Sequence, residues 1–182
     1  MNILAISGSL RRQSSNAALL RAMASVAPTG VRFVLYDGLE SLPQFNPDRD
    51  RESDVPAPPV AAWRAAMHQA DGVVISSPEY GHGVPGSLKN ALDWLVSSGE
   101  LMGKPVVLLN AARAGGKFAQ ASLAETLTML SANVLREASQ LEPFLRHPLS
   151  GGPEPLDAEL AATLRASFAA LANALPAQHA GQ

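Results

Sequence analysis

The sequence predicts an α/β protein: a parallel sheet of five strands with helices on both of its faces. Three observations carry this. Short apolar runs alternate with longer amphipathic stretches along the chain. The runs lack polar alternation, as strands buried on both faces do. Each run is separated from the next by a stretch of helical periodicity, which is the βαβ unit of a parallel sheet. The 182 residues suit one compact core, since one domain takes roughly 100–200 residues. A single domain over 1–182 is expected, with a loose tail at 176–182.

The first strand is Asn2–Ser7, centred on Ile3-Leu4-Ala5-Ile6. Leu20, Met23, Ala24 and Ala27 then recur at i, i+3, i+4 and i+7, one face of a helix. Val31–Tyr36 is the second strand. Residues 37–57 form a long polar connection bearing prolines, read as a lid or a subunit contact. Pro58-Pro59 opens a second helix, where proline is tolerated in a first turn. Its stripe is Val60, Trp63, Met67 and Ala70. Gly72–Ser77 is the third strand. A helix follows with Leu88, Ala91, Leu92 and Leu95 on one face and Ser87 as its N-cap. Pro105–Asn110 is the fourth strand, and Leu123, Thr126, Leu127 and Leu130 mark the next helix. A weaker fifth strand falls near Asn133–Arg136. Residues 146–156 are irregular, and Leu160, Leu164, Phe168, Leu171 and Leu175 stripe the last helix. Five strands favour the flavodoxin-like doubly wound order 2-1-3-4-5 over a six-stranded double fold.

Composition excludes several function classes. Apolar residues make up 47% and charged residues 16%, too apolar for disorder. No run reaches the ~20 apolar residues of a membrane span. Net charge is −2, and the three lysines and eleven arginines are scattered. Nucleic acid binding needs clustered cations, so no nucleic acid and no membrane partner is expected. The absence of cysteine rules out disulfides, thiolate metal sites and cysteine nucleophiles. The four histidines, His68, His82, His147 and His179, lack metal-ligand spacing, so no metal is expected. The first residues, MNILAIS, lack the charged region and the long apolar region of a signal peptide, so none is expected and a cytoplasmic location is the expectation.

In an open parallel sheet, ligands bind outside the carboxyl ends of the strands at the switch in strand order. For this order the switch lies between strands 1 and 3. The loop after strand 1 reads GSLRRQSSN. Its hydroxyls, the Asn16 amide and the Arg11 guanidinium, with the N–H groups of the next helix, suit a phosphate monoester. The alternative is a serine-rich cap with a solvated arginine. The loop after strand 3 contains Gly81-His82-Gly83-Val84-Pro85-Gly86, which matches G-x-G-x-x-G. A dinucleotide fingerprint is rejected, because no acidic residue closes the next strand ~20 residues on, and Pro85 inside the pattern removes a donor the pyrophosphate would use. Glycines there admit a flat ring close to the backbone, with Tyr80 beside it. The alternative is a plain turn. The third loop, AARAGGK, offers Gly115-Gly116 to a ligand edge and Arg113 to a second phosphate, or is a simple connection. Asp93 reads as an exposed helix acid, and Trp63 and Trp94 as core or subunit contacts. No G-x-S-x-G elbow supports a serine hydrolase.

Two of these loops carry a family resemblance. GSLRRQSSN resembles the phosphate loop G-S-L-R-x-x-S-x-N of the NADPH-dependent FMN reductases, and SPEYGHGVPGSLKNALDW resembles their second signature. The likeness runs over residues 1–145. It implies that Ser9, Arg11, Ser14 and Asn16 hold the FMN phosphate, with Ser15 where the family often has an aromatic residue. It implies that Pro78, Glu79, Tyr80 and Gly81 lie along the flavin ring, with His82 following. Many members carry asparagine where this chain has Gly81. Gly115 and Gly116 fall at the third flavin-facing loop. The family includes chromate, quinone and azo-dye reductases, usually dimeric or tetrameric.

The resemblance implies an oxidoreductase and flavoprotein with FMN as cofactor and NADPH or NADH as hydride donor. Its small-molecule acceptor would be free FMN, a quinone, an azo compound or chromate. No side chain is expected to be catalytic, because the flavin carries the chemistry. A homodimer or homotetramer is implied. Two other readings remain open on sequence alone: a non-enzymatic electron carrier of flavodoxin type, and a flavin-binding regulatory module. Carriers of that type tend to be strongly acidic, which a net charge of −2 argues against.

Overall fold

The computed structural model describes residues 1–51, 54–111, 116–139 and 156–175. Five strands, β1 (Asn2–Ser7), β2 (Arg32–Tyr36), β3 (Gly72–Ser76), β4 (Pro105–Leu109) and β5 (Asn133–Val134), form one sheet in the order 2-1-3-4-5. All four strand pairings are parallel. Five helices connect and flank them: α1 (Ser15–Ser25), α2 (Pro58–Gln69), α3 (Gly86–Asp93), α4 (Lys117–Met129) and α5 (Ala158–Ala174). The expected fold class and strand order are both found.

Side chains alternate across a strand, so each strand serves two cores. Leu4, Ile6, Val73, Ile75, Val106 and Leu108 face α2, α3 and α4. Ile3, Ala5, Val74, Val107 and Leu109 face α1 and α5. This double burial is why β1, β3 and β4 read as unbroken apolar runs. Trp63 is fully buried and donates from Nε1 to the Ala91 carbonyl, at 2.8 Å. Trp94 is buried as well, so both tryptophans belong to the core.

Four local expectations need correction. α1 buries Ala18, Leu19, Leu20 and Met23. Ala24 is exposed and Ala27 lies beyond the helix; the packed face runs one position earlier, through Leu19, Ala22, Met23 and Val26. Ser87 is not the cap of α3. That helix begins at Gly86 after Pro85, without a side-chain cap. β5 is two residues long and gives way to a 3₁₀ turn at Arg136–Ala138.

The fourth correction concerns 37–57, which is no free lid over its described part. Leu39 and Leu42 are buried in the α2/α3 core. Asn90 accepts the Phe45 N–H at 2.7 Å and donates to the Pro43 carbonyl at 3.0 Å. Trp94 Nε1 donates to the same carbonyl at 2.9 Å, and its ring meets Phe45 edge-on. Arg64 closes the far end on Asp50 at 2.6 Å. The stretch KNALDW is thereby explained. Asn90 and Trp94 fasten the connection, while Lys89 and Asp93 form an i,i+4 pair on the surface.

Candidate functional site

Register brings three loops together. Ser7 lies beside Ser76, and Ser76 beside Leu109, so the loops after β1, β3 and β4 leave the sheet side by side. The Gly8 N–H donates to the Ser76 carbonyl at 2.9 Å, and the Ser77 N–H to the Leu109 carbonyl at 3.2 Å. A Cβ at Gly8 would stand 2.6 Å from Ser77 Oγ and 3.1 Å from Leu88 Cδ2, so this crossing requires glycine.

The first loop is organised around the start of α1. Ser14 is its N-cap, and its Oγ accepts the Ala17 N–H at 3.2 Å. Asn16 is buried. Its Oδ1 accepts from Ser76 Oγ at 2.8 Å and from the Ala111 N–H at 3.2 Å. Asn16 thus ties α1 to the ends of β3 and β4, leaving its NH₂ to donate. The first two N–H groups of α1, on Ser15 and Asn16, have no acceptor among the described residues. Ser9 Oγ accepts the Arg11 N–H and lies 3.3 Å from the Tyr80 hydroxyl, which joins the first loop to the second. Ser15, Arg11 and Arg12 are exposed. Arg11 makes no ion pair among the described residues. The loop therefore presents free N–H groups, hydroxyls and a free guanidinium at a helix start, the donor set an anion needs.

The second loop is a two-residue hairpin. Tyr80 and Gly83 exchange both backbone hydrogen bonds, at 3.1 and 3.0 Å. Gly81 and His82, between them, have φ of 56° and 61°. Positive φ at both central residues is the signature of a type I′ turn. Glycine and asparagine both suit the first position, so Gly81 is a conformational equivalent of the asparagine common in the family. A Cβ at Gly81 would meet nothing within 4 Å, so that face of the turn is open. Tyr80 is 56% exposed beside it. Gly81→Val should lower apoprotein stability by about 1–2 kcal/mol, because a β-branched residue is strained at this φ. Gly81→Asn should leave it unchanged. Thermal unfolding of the apoprotein checks both, and an undisturbed Gly81→Val protein would remove the turn assignment.

Glu79 joins the second loop to the third. Its Oε2 accepts the N–H groups of Phe118 and Ala119, both at 2.9 Å. It caps the N-terminus of α4 from outside the helix. Its carboxyl is held below the ordinary carboxylate range, first by the Ala119 N–H against opposing desolvation. The Phe118 N–H, the nearby His82 and the Gly116 N–H lower it further. A depressed folded value means stability present above the unfolded carboxylate range and lost as pH falls through the folded value. Glu79→Gln should therefore be less stable than wild type near neutrality, with the difference closing in acid. A gap in melting temperature that persists unchanged below the carboxylate range would contradict the capping role.

Gly116 precedes α4 at φ 101°. A Cβ there would overlap the Nδ2 of Asn110, a fully buried residue at the end of β4. Gln120, also buried, donates to the Leu109 carbonyl at 3.0 Å, while its Oε1 has no partner among the described residues. Gly115, Arg113, His147 and His179 lie outside the described residues, as do 176–182 and all but the end of 146–156. Sequence reasoning passed over Asn110, Lys117 and Phe118. The rule that ligands gather at the carboxyl ends of strands pointed at Asn110. Nothing in the sequence marked Phe118, whose 47% exposure emerges only in the fold. Among the described residues no His, Asp or Glu cluster is fit for a metal, and no helix is long and apolar enough to cross a membrane.

A five-stranded parallel sheet in the order 2-1-3-4-5, with three loops gathered at its switch point, defines a flavodoxin-like fold. Solved structures share that fold. The flavoenzyme NAD(P)H:(acceptor) oxidoreductase of Paracoccus denitrificans aligns with TM-score 0.77 at 21% identity, over 96% of this chain and 99% of that one. Flavodoxin 1 of Bacillus cereus aligns with TM-score 0.59 at 18% identity, over 97% and 100%. Residues 1–143 match the NADPH-dependent FMN reductase family, and the chain belongs to that family. The quinone reductase of Escherichia coli K12 is 35% identical over 141 residues, 75% of this chain and 74% of that one. An NAD(P)H-dependent FMN reductase of Pseudomonas aeruginosa is likewise 35% identical, over 75% of each.

The protein is an FMN-dependent NAD(P)H oxidoreductase, and the carrier and regulatory readings give way to an enzyme. The residues present fit FMN. The first loop supplies donors for a phosphate dianion, and the hairpin leaves an open face for a flat ring.

Proposed function

We propose that the chain transfers two electrons from NAD(P)H, through FMN, to a quinone. The observation that carries this is the pairing of the anion-binding loop with the open hairpin on adjacent strands. The quinone reductase among its relatives supports the choice of acceptor. Overall, NAD(P)H, one proton and the quinone become NAD(P)⁺ and hydroquinone. FMN, when bound, would supply the hydride-accepting and two-electron redox chemistry that no side chain here provides.

The chain's own residues bind and orient. Ser9, Arg11, Ser15 and the Asn16 NH₂ would donate to the phosphate, with the free N–H groups at the start of α1. Ser14 would act by holding that helix start in place. Pro78, Glu79, Tyr80, Gly81 and His82 would flank the ring. Of these, Glu79 works through its grip on α4 and Gly81 through the turn. Gly115 and Gly116 would close the third side. No side chain is assigned a proton transfer. The cytoplasm, which supplies NAD(P)H, is the proposed location. A homodimer or homotetramer is the proposed assembly, for which exposed Val96, Met102 and Met129 offer apolar surface.

The test is anaerobic NAD(P)H oxidation by the purified protein with FMN and a quinone. Hydroquinone should form in equal amount to the NAD(P)H consumed. Turnover that appears only with a second reductase would mark a carrier and sink the proposal.

A further inference from the structure

A stacked pair of exposed rings lines one side of the site. The imidazole of His82 and the ring of Phe118 are 4.4 Å apart between centroids, inclined at 33°. Lys117 Nζ lies over Phe118, 5.0 Å from its centroid. The two rings come from different loops, and backbone ties fix both. Glu79 grips the Phe118 N–H, and the hairpin holds His82 at φ 61°. Histidine is among the few residues enriched at such φ, and backbone held there is a pointer to function. Phe118, Tyr80 and Leu10 are 47%, 56% and 51% exposed, an apolar rim around these loops. The rim's charge is one-sided. Lys117 and the arginines of the first loop are exposed, while Glu79, the only acid in the described parts of these loops, is engaged by α4.

We propose that His82, Phe118 and Lys117 form the acceptor-selecting wall of the site. It favours flat aromatic acceptors that carry an anionic substituent, such as a sulfonate, a carboxylate or an ionised hydroxyl. The inference rests on the quinone reading above and narrows it. The rings give a face on which an aromatic acceptor stacks. The ammonium beside Phe118 attracts the anionic substituent. Because Lys117 is exposed, its attraction is modest and screened by salt. The ring pair favours any flat acceptor, and the cation separates anionic from neutral ones.

The FMN-loaded protein tests this in anaerobic steady state at saturating NADPH. The acceptors are 1,4-naphthoquinone-2-sulfonate and neutral 2-methyl-1,4-naphthoquinone. Lys117→Gln should raise the ratio of the sulfonate's KM to the neutral quinone's KM by about threefold to fivefold at low salt. The change should shrink at high salt. Phe118→Ala should raise both KM values by roughly fivefold to tenfold, with kcat little altered. Phe118→Leu, which keeps apolar bulk without a ring, should fall between and guards against a folding defect. An unchanged KM ratio in Lys117→Gln overturns the proposal. So does a KM for NADPH that rises against that for NADH while both quinone values stay put, since Lys117 would then read the dinucleotide. A wild-type protein that never passes electrons to a quinone overturns the underlying reading instead, in a measurement separate from the KM ratio.

Discussion

Arg11→Ala should weaken FMN binding by about 1.5–3 kcal/mol, the range of a charge-assisted hydrogen bond, or roughly tenfold to more than a hundredfold in Kd. The side chain is exposed in a loop outside both cores and makes no ion pair among the described residues, so the fold should persist. Riboflavin, which lacks the phosphate, should bind wild type and variant alike. Arg11→Lys should recover only part of the loss, because an ammonium keeps the charge without the guanidinium fork. Fluorescence titration of the apoprotein with both flavins reads all of this. Equal loss for FMN and riboflavin would move Arg11 from the phosphate to the ring.

Gly116→Ala should destabilise the protein by about 2–6 kcal/mol. Two costs combine. A residue with a Cβ is strained at φ 101°, which costs roughly 1–3 kcal/mol. The new methyl also overlaps the Asn110 amide, which is fully buried, and forcing side chains aside in a packed region costs about 1–3 kcal/mol. Asn110→Ala made together with Gly116→Ala should relieve the second cost, and a double-mutant cycle, which subtracts what Asn110→Ala loses alone, measures that coupling. Additive losses in chemical denaturation would mean that the two residues do not press on each other.

The sheet was legible because its inner strands are buried on both faces, which writes them as apolar runs. β1 was readable to the residue. The helix stripes on α2 and α3 were readable for the same physical reason, since every residue of both stripes is buried. α1 was misread by one position because alanine carries little contrast between a buried and an exposed face. The connection at 37–57 looked loose because its partners, Asn90 and Trp94, lie more than forty residues away. Within the site, residue types were visible but not their tasks. Glu79 reads as a ring neighbour from the sequence, and its capping of α4 is visible only in the fold. Asn16 looked like a free amide, and its oxygen is committed to Ser76 and Ala111. Such roles depend on which strand ends meet, and local sequence holds no record of that.

The absorption spectrum of the FMN-loaded protein, before and after anaerobic NADPH, tests the central claim most directly. The account predicts an oxidised flavin spectrum that bleaches on addition of NADPH and returns when a quinone is admitted. A bound flavin that NADPH leaves coloured, with no other protein present, would contradict it.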